Sequence, residues 1–133
     1  MPATIVSICE RAEKGISRPF LCEADDGHFY FVKCDNVAAD QLVTEFLFSR
    51  LAEECGLPVA PVEILEIPDD LARHALVERA EEFRPGLAFG SRRIPFADEL
   101  RTSHLSLLEE EMRMRCLCFD WWVRNPDRRL GIL

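Results

Sequence analysis

Three features of this sequence have residue types and spacing that could do chemistry: Lys33, Glu45 and the loop that carries Gly15 and Ser17. Lys33 lies near the end of His28-Phe29-Tyr30-Phe31-Val32-Lys33-Cys34, a run rich in aromatic and β-branched residues that reads as a strand. Side chains alternate across a strand, so Phe29, Phe31 and Lys33 share a face. An ammonium on an apolar face is costly unless an anion neutralises it. Glu45, near the middle of the helix expected next, is the partner, and the two are expected within about 4 Å of each other. The chain has only two lysines, Lys14 and Lys33, against fourteen arginines, so lysine is not its general-purpose cation. The loop from Arg11 to Arg18 lies between two strands and could turn its backbone N–H groups toward a phosphate. Each feature also has a plainer assignment: a strand-end lysine reaching water along its own stem, a solvated helix glutamate, and an ordinary hairpin loop.

The elements that must position these residues can be read from periodicity. Thr4 to Glu10 and Phe20 to Ala24 read as strands. Asp26-Gly27 reads as a two-residue hairpin loop that pairs Ala24 with Phe29, Cys22 with Phe31 and Phe20 with Lys33. A helix is expected from a cap at Asn36 to about Cys55, with an apolar stripe of Ala39, Leu42, Val43, Phe46 and Leu47. Gly56 and Pro58 end it. Pro61 to Ile67 alternates as a strand, Pro68-Asp69-Asp70 reads as a turn, and His74 to Glu78 as a further short strand. Glu81 to Ile94, with Pro85, Gly86 and Gly90, reads as irregular but ordered, because Phe83, Leu87 and Phe89 must pack. From about Ser103 to Arg124 a second long helix is expected, with Leu105, Leu108, Met112, Cys116, Phe119 and Trp122 in phase. The fold class is α+β: a mostly antiparallel sheet of about five strands with one packed helix, then a long C-terminal helix. The expected division is 1–80 for sheet and helix, 81–102 for a connector and 103–133 for the last helix and tail, forming a single compact unit.

Composition narrows the partners. The formal net charge of −8 and a pI near 4.9 exclude nucleic acid and anionic membrane as main partners, since both require a basic surface. No apolar run approaches the roughly 20 residues of a membrane span, and the N-terminus lacks the basic region of a signal peptide. Six cysteines without a Cys-x-x-Cys spacing point to buried apolar thiols in a reducing cytoplasm, and no metal site is expected from them. Trp121 and Trp122 are adjacent, so on a helix they project about 100° apart and a single stripe cannot bury both. A protein partner or a second copy is expected to cover them.

Taken together, these segments resemble HipA-like kinases. A strand lysine followed by a helix glutamate looks like the lysine–glutamate pair of the kinase fold. Phe119-Asp120-Trp121-Trp122-Val123-Arg124-Asn125-Pro126-Asp127-Arg128 is similar to the family's catalytic loop, in which an apolar helix runs into Asn-x-Asp-Arg. Gly15 to Phe20, Asp26-Gly27 with Tyr30 to Lys33, Thr44-Glu45, Gly56 to Pro61 and Ala88 to Arg92 look like further family segments, with Thr44 in place of an asparagine. The resemblance implies a kinase-like N-terminal lobe, a hinge and one helix of a second lobe, without the rest of that lobe. It implies ATP and magnesium as cofactors, with Lys33 on the phosphates and Glu45 orienting it. It also implies that Gly15 and Ser17 cover the nucleotide and that Asp127 stands at the catalytic-aspartate position. Ile132 occupies the place of a magnesium-binding asparagine, so the implied metal site is incomplete. The reaction of intact relatives is ATP-dependent phosphoryl transfer to protein serine or threonine. For this chain alone the expectation is a fold without autonomous catalysis, or a small module acting by protein–protein contact.

Overall fold

In the computed structural model, which describes residues 2–11, 18–33, 39–76, 80–95 and 106–124, the Asp-Gly hairpin is present with a different register. Its strands are β2 (Phe20–Ala24) and β3 (Phe29–Lys33). Leu21 pairs with Phe31, Cys22 with Tyr30 and Phe20 with Val32, one residue away from the pairing expected from a two-residue loop. The loop has three residues, because the Ala24 N–H donates to the His28 carbonyl at 3.0 Å. Gly27 takes a φ of 82°, as the last residue of such a loop requires. The aspartates favour the longer loop. Asp26 Oδ1 accepts from the His28 N–H at 2.9 Å, and Asp25 Oδ1 accepts from the Thr4 N–H at 3.0 Å. The slip moves Phe20, Cys22 and Ala24 off the face of Lys33. They share the opposite face with Tyr30 and Val32, and all five are buried.

That opposite face is the inside of a closed five-stranded barrel with strand order β1-β2-β3-β5-β4. The other strands are β1 (Ala3–Arg11), β4 (Val62–Ile67) and β5 (Gly86–Arg92). All neighbours are antiparallel except β1 and β4, which close the ring in parallel through Ala3 with Leu65 and Thr4 with Glu66. Two irregularities in β1, between Ile5 and Ser7 and between Ile8 and Glu10, let the long strand bend around the ring. The interior holds Ile5, Phe20, Cys22, Tyr30, Val32, Leu65, Ile67 and Ala88, and Phe83 plugs it with its ring 5.1 Å from that of Phe20.

The fifth strand lies in the stretch that the sequence suggested was irregular connector. Gly86 and Gly90 masked its alternation. Gly90 is required by closure, since a Cβ there would strike Leu65 and press on Tyr30. The segment read as a strand at 74–78 is not one where it is described. A short helix α2 (Asp69–Arg73) begins where the turn was expected, and Leu76 is 98% exposed; residues 77–79 lie outside the described residues.

Helix α1 (Ala39–Glu54) lies against the outer face of the barrel. The expected cap at Asn36 lies outside the described residues. Its buried side is rotated from the expected stripe: Leu42, Glu45, Phe46, Ser49 and Ala52 turn inward, whereas Val43 and Leu47 are 57% exposed. The outer barrel face carries Lys33, so the helix presents Glu45 there as well as apolar groups. Gly56, with φ 76°, ends the helix in a Schellman motif: Leu57 N–H to the Ala52 carbonyl and Gly56 N–H to the Glu53 carbonyl, both 3.0 Å. Helix α3 (Glu110–Val123) starts later than expected. Residues 106–109 are not α-helical, and 101–105 lie outside the described residues. It packs Phe119 on Ala52 and Leu57, supported by Met112, Cys116 and Val123. Trp122, expected in that stripe, is 61% exposed, because Val123 takes the inward position. Among the described cysteines only Cys22 is buried; Cys116 is half-buried and Cys9, Cys55 and Cys118 are exposed, contrary to the expectation that most are core residues. None of the described helices is long and apolar enough to cross a membrane.

At the mouth of the barrel the Tyr30 hydroxyl donates to Asp26 Oδ2 at 2.6 Å. Desolvation raises the Asp26 pKa, but hydrogen bonds from Tyr30 and the His28 N–H, with the charges of His28 and Arg92, outweigh it and leave it below its ordinary value. Burial, then the hydrogen bond to Asp26, raises the Tyr30 pKa. A carboxylate depressed in the folded state stabilises the fold above its ordinary pKa, and that contribution fades as pH falls through the folded value. Tyr30→Phe is therefore expected to cost about 1–2 kcal/mol at neutral pH. In urea denaturation the gap from wild type should narrow at acid pH, where Asp26 is protonated.

Candidate functional site

Lys33 is the last residue of β3 and pairs across the sheet with Phe89 of β5. Its side chain leaves the outer face beneath α1. Nζ donates to both oxygens of Glu45, at 3.2 Å to Oε1 and 3.0 Å to Oε2. The two side chains are 22% and 33% exposed, so the pair is sheltered yet reachable from solvent. Its surroundings form a cleft of about 410 Å³ with three walls. The sheet supplies Phe31, Lys33, Val62, Phe89 and Ser91; α1 supplies Glu45, Phe48, Ser49 and Ala52; α3 supplies Phe119 and Val123.

Local packing sets the position of Glu45. Phe46, next in the chain, meets the Phe89 ring edge-on at 6.3 Å. The Arg50 guanidinium stands 5.5 Å over the Phe46 ring and reaches Glu63 on β4 at 3.8 Å and Glu53 at 3.5 Å. Arg50 therefore ties the helix to the sheet one turn beyond Glu45. Thr44 is exposed, and its hydroxyl donates back to the Asp40 carbonyl at 2.9 Å, so it does not join the pair.

An apolar cleft with a single carboxylate-oriented ammonium suits a ligand that has an anionic group and a flat or apolar body. Lys33 fits a phosphate. A metal has no comparable seat among the described residues, where no group of three His, Cys, Asp or Glu side chains comes together.

Of the candidate residues, Lys33 and Glu45 come together, while Gly15, Ser17 and Asp127 lie outside the described residues. Trp121 and Trp122 are 83% and 61% exposed on α3, away from the ion pair. Phe89 and Ser91 line the cleft, whereas the sequence reading had Phe89 only as a packing residue and their segment as irregular. The signal was the alternation Leu87, Phe89, Ser91, interrupted to the eye by Gly86 and Gly90. Phe119 was seen as a packing residue but not as a wall of the cleft.

A mostly antiparallel five-stranded sheet with a strand lysine bridged to a helix glutamate is what the resemblance to kinase-fold proteins implies; its closure into a barrel was not expected. Residues 5–133 match the HipA-like kinase family, and the chain belongs to it. No curated protein and no solved structure matches the chain.

A partly exposed ion pair gains modest Coulomb energy and pays to hold two long side chains. Lys33→Met and Glu45→Gln are each expected to change unfolding stability by less than about 1 kcal/mol. Denaturation midpoints close to wild type for both variants would show that the pair is dispensable for folding, whereas a loss of several kcal/mol would make it a structural tie.

Proposed function

We propose that the chain forms the nucleotide-holding part of a HipA-like kinase site and that these 133 residues do not transfer phosphoryl groups by themselves. The observation that carries the first half is the Lys33–Glu45 pair at 3.0 Å, set in a largely apolar cleft. Lys33 Nζ takes the phosphate oxygens of ATP. Glu45 holds the ammonium in place, and the base and ribose lie along the apolar wall of Phe31 and Phe89. The second half follows from charge. Phosphoryl transfer requires metal ions bridging the phosphates as well as a held nucleotide. Ile132 stands where the family resemblance implies a metal-binding asparagine. Asp127 orients an accepting hydroxyl only when a partner, a second copy or further chain completes that metal site.

Calorimetric titration with ATP, with and without magnesium, tests the first half. Wild type is expected to bind, and Lys33→Ala to weaken binding about tenfold, or roughly 1.4 kcal/mol. Equal binding by both would remove Lys33 from the site. Incubation with radiolabelled ATP tests the second half. No label is expected on the protein, and label that disappears in Asp127→Ala would show that catalysis is complete without help.

A specific observation also favours a contact role through α3. Met114, Leu117, Trp121 and Trp122 are all more than half exposed on this one helix. Each tryptophan leaves on the order of 100 Å² or more of apolar surface to hide. Sedimentation at increasing concentration is expected to show self-association that Trp121→Ala weakens. A wild-type monomer throughout would leave only a different protein as the partner.

A further inference from the structure

The cavity of about 640 Å³ at the hairpin end of the barrel belongs to neither the Lys33 cleft nor the α3 surface. It opens where β5 leaves the sheet. His28, Arg92 and Arg93 line it together with the apolar side chains of Phe29, Ile94 and Pro95, and no carboxylate is among its described lining residues. On a chain of net charge −8, a cavity whose charged lining residues are Arg92 and Arg93 runs against the overall composition. Asp26 lies close enough to feel the Arg92 charge, and both its oxygens are engaged, by the His28 N–H and the Tyr30 hydroxyl.

Arg92 is the anchor. Its backbone N–H donates to the Pro61 carbonyl at 2.8 Å, and it pairs across the sheet with Tyr30, which places its side chain at the barrel mouth. Its Nε is buried and has no hydrogen-bond partner among the described residues. Buried N–H donors in native proteins nearly always have an acceptor, so Nε has a donor to spare, while the guanidinium also meets the Tyr30 hydroxyl. Arg93 follows directly, with its backbone N–H held by the Phe29 carbonyl at 2.8 Å. The backbones of both residues are thus held by hydrogen bonds and both residues line the cavity; a guanidinium is a planar donor suited to carboxylate or phosphate. Phe29 and Ile94, 36% and 49% exposed, form an apolar shelf beside them.

We propose that this cavity is a second binding site, for a small organic anion whose carboxylate or phosphate is held by Arg92 and Arg93 and whose flat apolar body lies on Phe29, Ile94 and Pro95. It shares no lining residue with the Lys33 cleft. The ends of β3 that face the two sites, Phe29 and Lys33, are about 13 Å apart at strand spacing. The site thus stands independently of the nucleotide reading.

The test is calorimetric titration of the 133-residue chain at fixed ionic strength with phenyl phosphate and with benzoate, using inorganic phosphate and benzyl alcohol as single-feature controls. Saturable binding is expected for at least one of the first two, and whichever binds more tightly identifies the oxyanion. Binding should weaken about fivefold in Arg93→Gln and about tenfold in Arg92→Gln. These titrations are run in the Lys33→Met background, which removes the ammonium of the other cleft. If Arg92→Gln fails to fold, because that side chain also stands beside Tyr30, the Arg93→Gln result decides. Three outcomes would overturn the proposal: no saturable binding of either ligand to Lys33→Met, equal affinity with and without Arg93→Gln in that background, or inorganic phosphate or benzyl alcohol binding as tightly as the aromatic anions.

Discussion

Five short strands closing around Tyr30 impose a steric condition that reaches every other part of the molecule. A ring this small is filled by the buried side chains of Tyr30, Phe20, Ile5, Leu65, Ile67 and Val32. Between them stand the small Cys22, Ala24 and Ala88, with Gly90 where even a methyl group would collide. Closure sets the β3–β5 register, and that register puts Lys33 opposite Phe89 and Arg92 opposite Tyr30. Both cation-bearing sites are thus consequences of how the barrel shuts.

The Lys33–Glu45 pair sits on top of this arrangement and does little to hold it together. A sheltered surface ion pair is worth about 1 kcal/mol at most, less than one well-packed apolar side chain. The position of α1 is set instead by Phe46 on Phe89, by Arg50 reaching Glu63, and by Ala52 in the cluster with Leu57 and Phe119. This division explains how a carboxylate and an ammonium can be kept together in a solvent-reachable cleft. The helix is positioned by contacts that do not involve the pair, so a ligand can compete for the ammonium without dislodging the helix.

Much of this was legible in the residues, and what was not has identifiable causes. Lys33 stood out because alternation put a charge among aromatics, and Glu45 because a single helix followed at the right distance. The hairpin was legible from Asp-Gly, but its register was not. The choice between two and three loop residues depends on side-chain hydrogen bonds of Asp25 and Asp26 to distant backbone, and Thr4 is far away in sequence. β5 was missed because its glycines serve tertiary closure, and local propensity counts glycine as a breaker. The α1 stripe was misjudged because a helix covering a lysine-bearing face need not be apolar on its inner side. Asp127 rests on the family resemblance and Gly15 and Ser17 also on their place in a loop between two strands, and all three lie outside the described residues.

Helix α3 connects the two halves of the functional reading. Phe119 and Val123 wall the Lys33 cleft, while Trp121 and Trp122, between them in sequence, face outward. The Phe119 and Trp122 rings meet edge-on at 6.3 Å, and both residues also line the smaller cavity with Leu57 and Cys55. A helix is stiff over one turn, so whatever settles on the tryptophan face bears on the cleft wall through a single ring contact. The cleft wall and the Trp121 side chain therefore lie on different faces of the helix. Phe119 and Trp121 project about 200° apart on one short helix, which packs on Ala52, about two turns along α1 from Glu45.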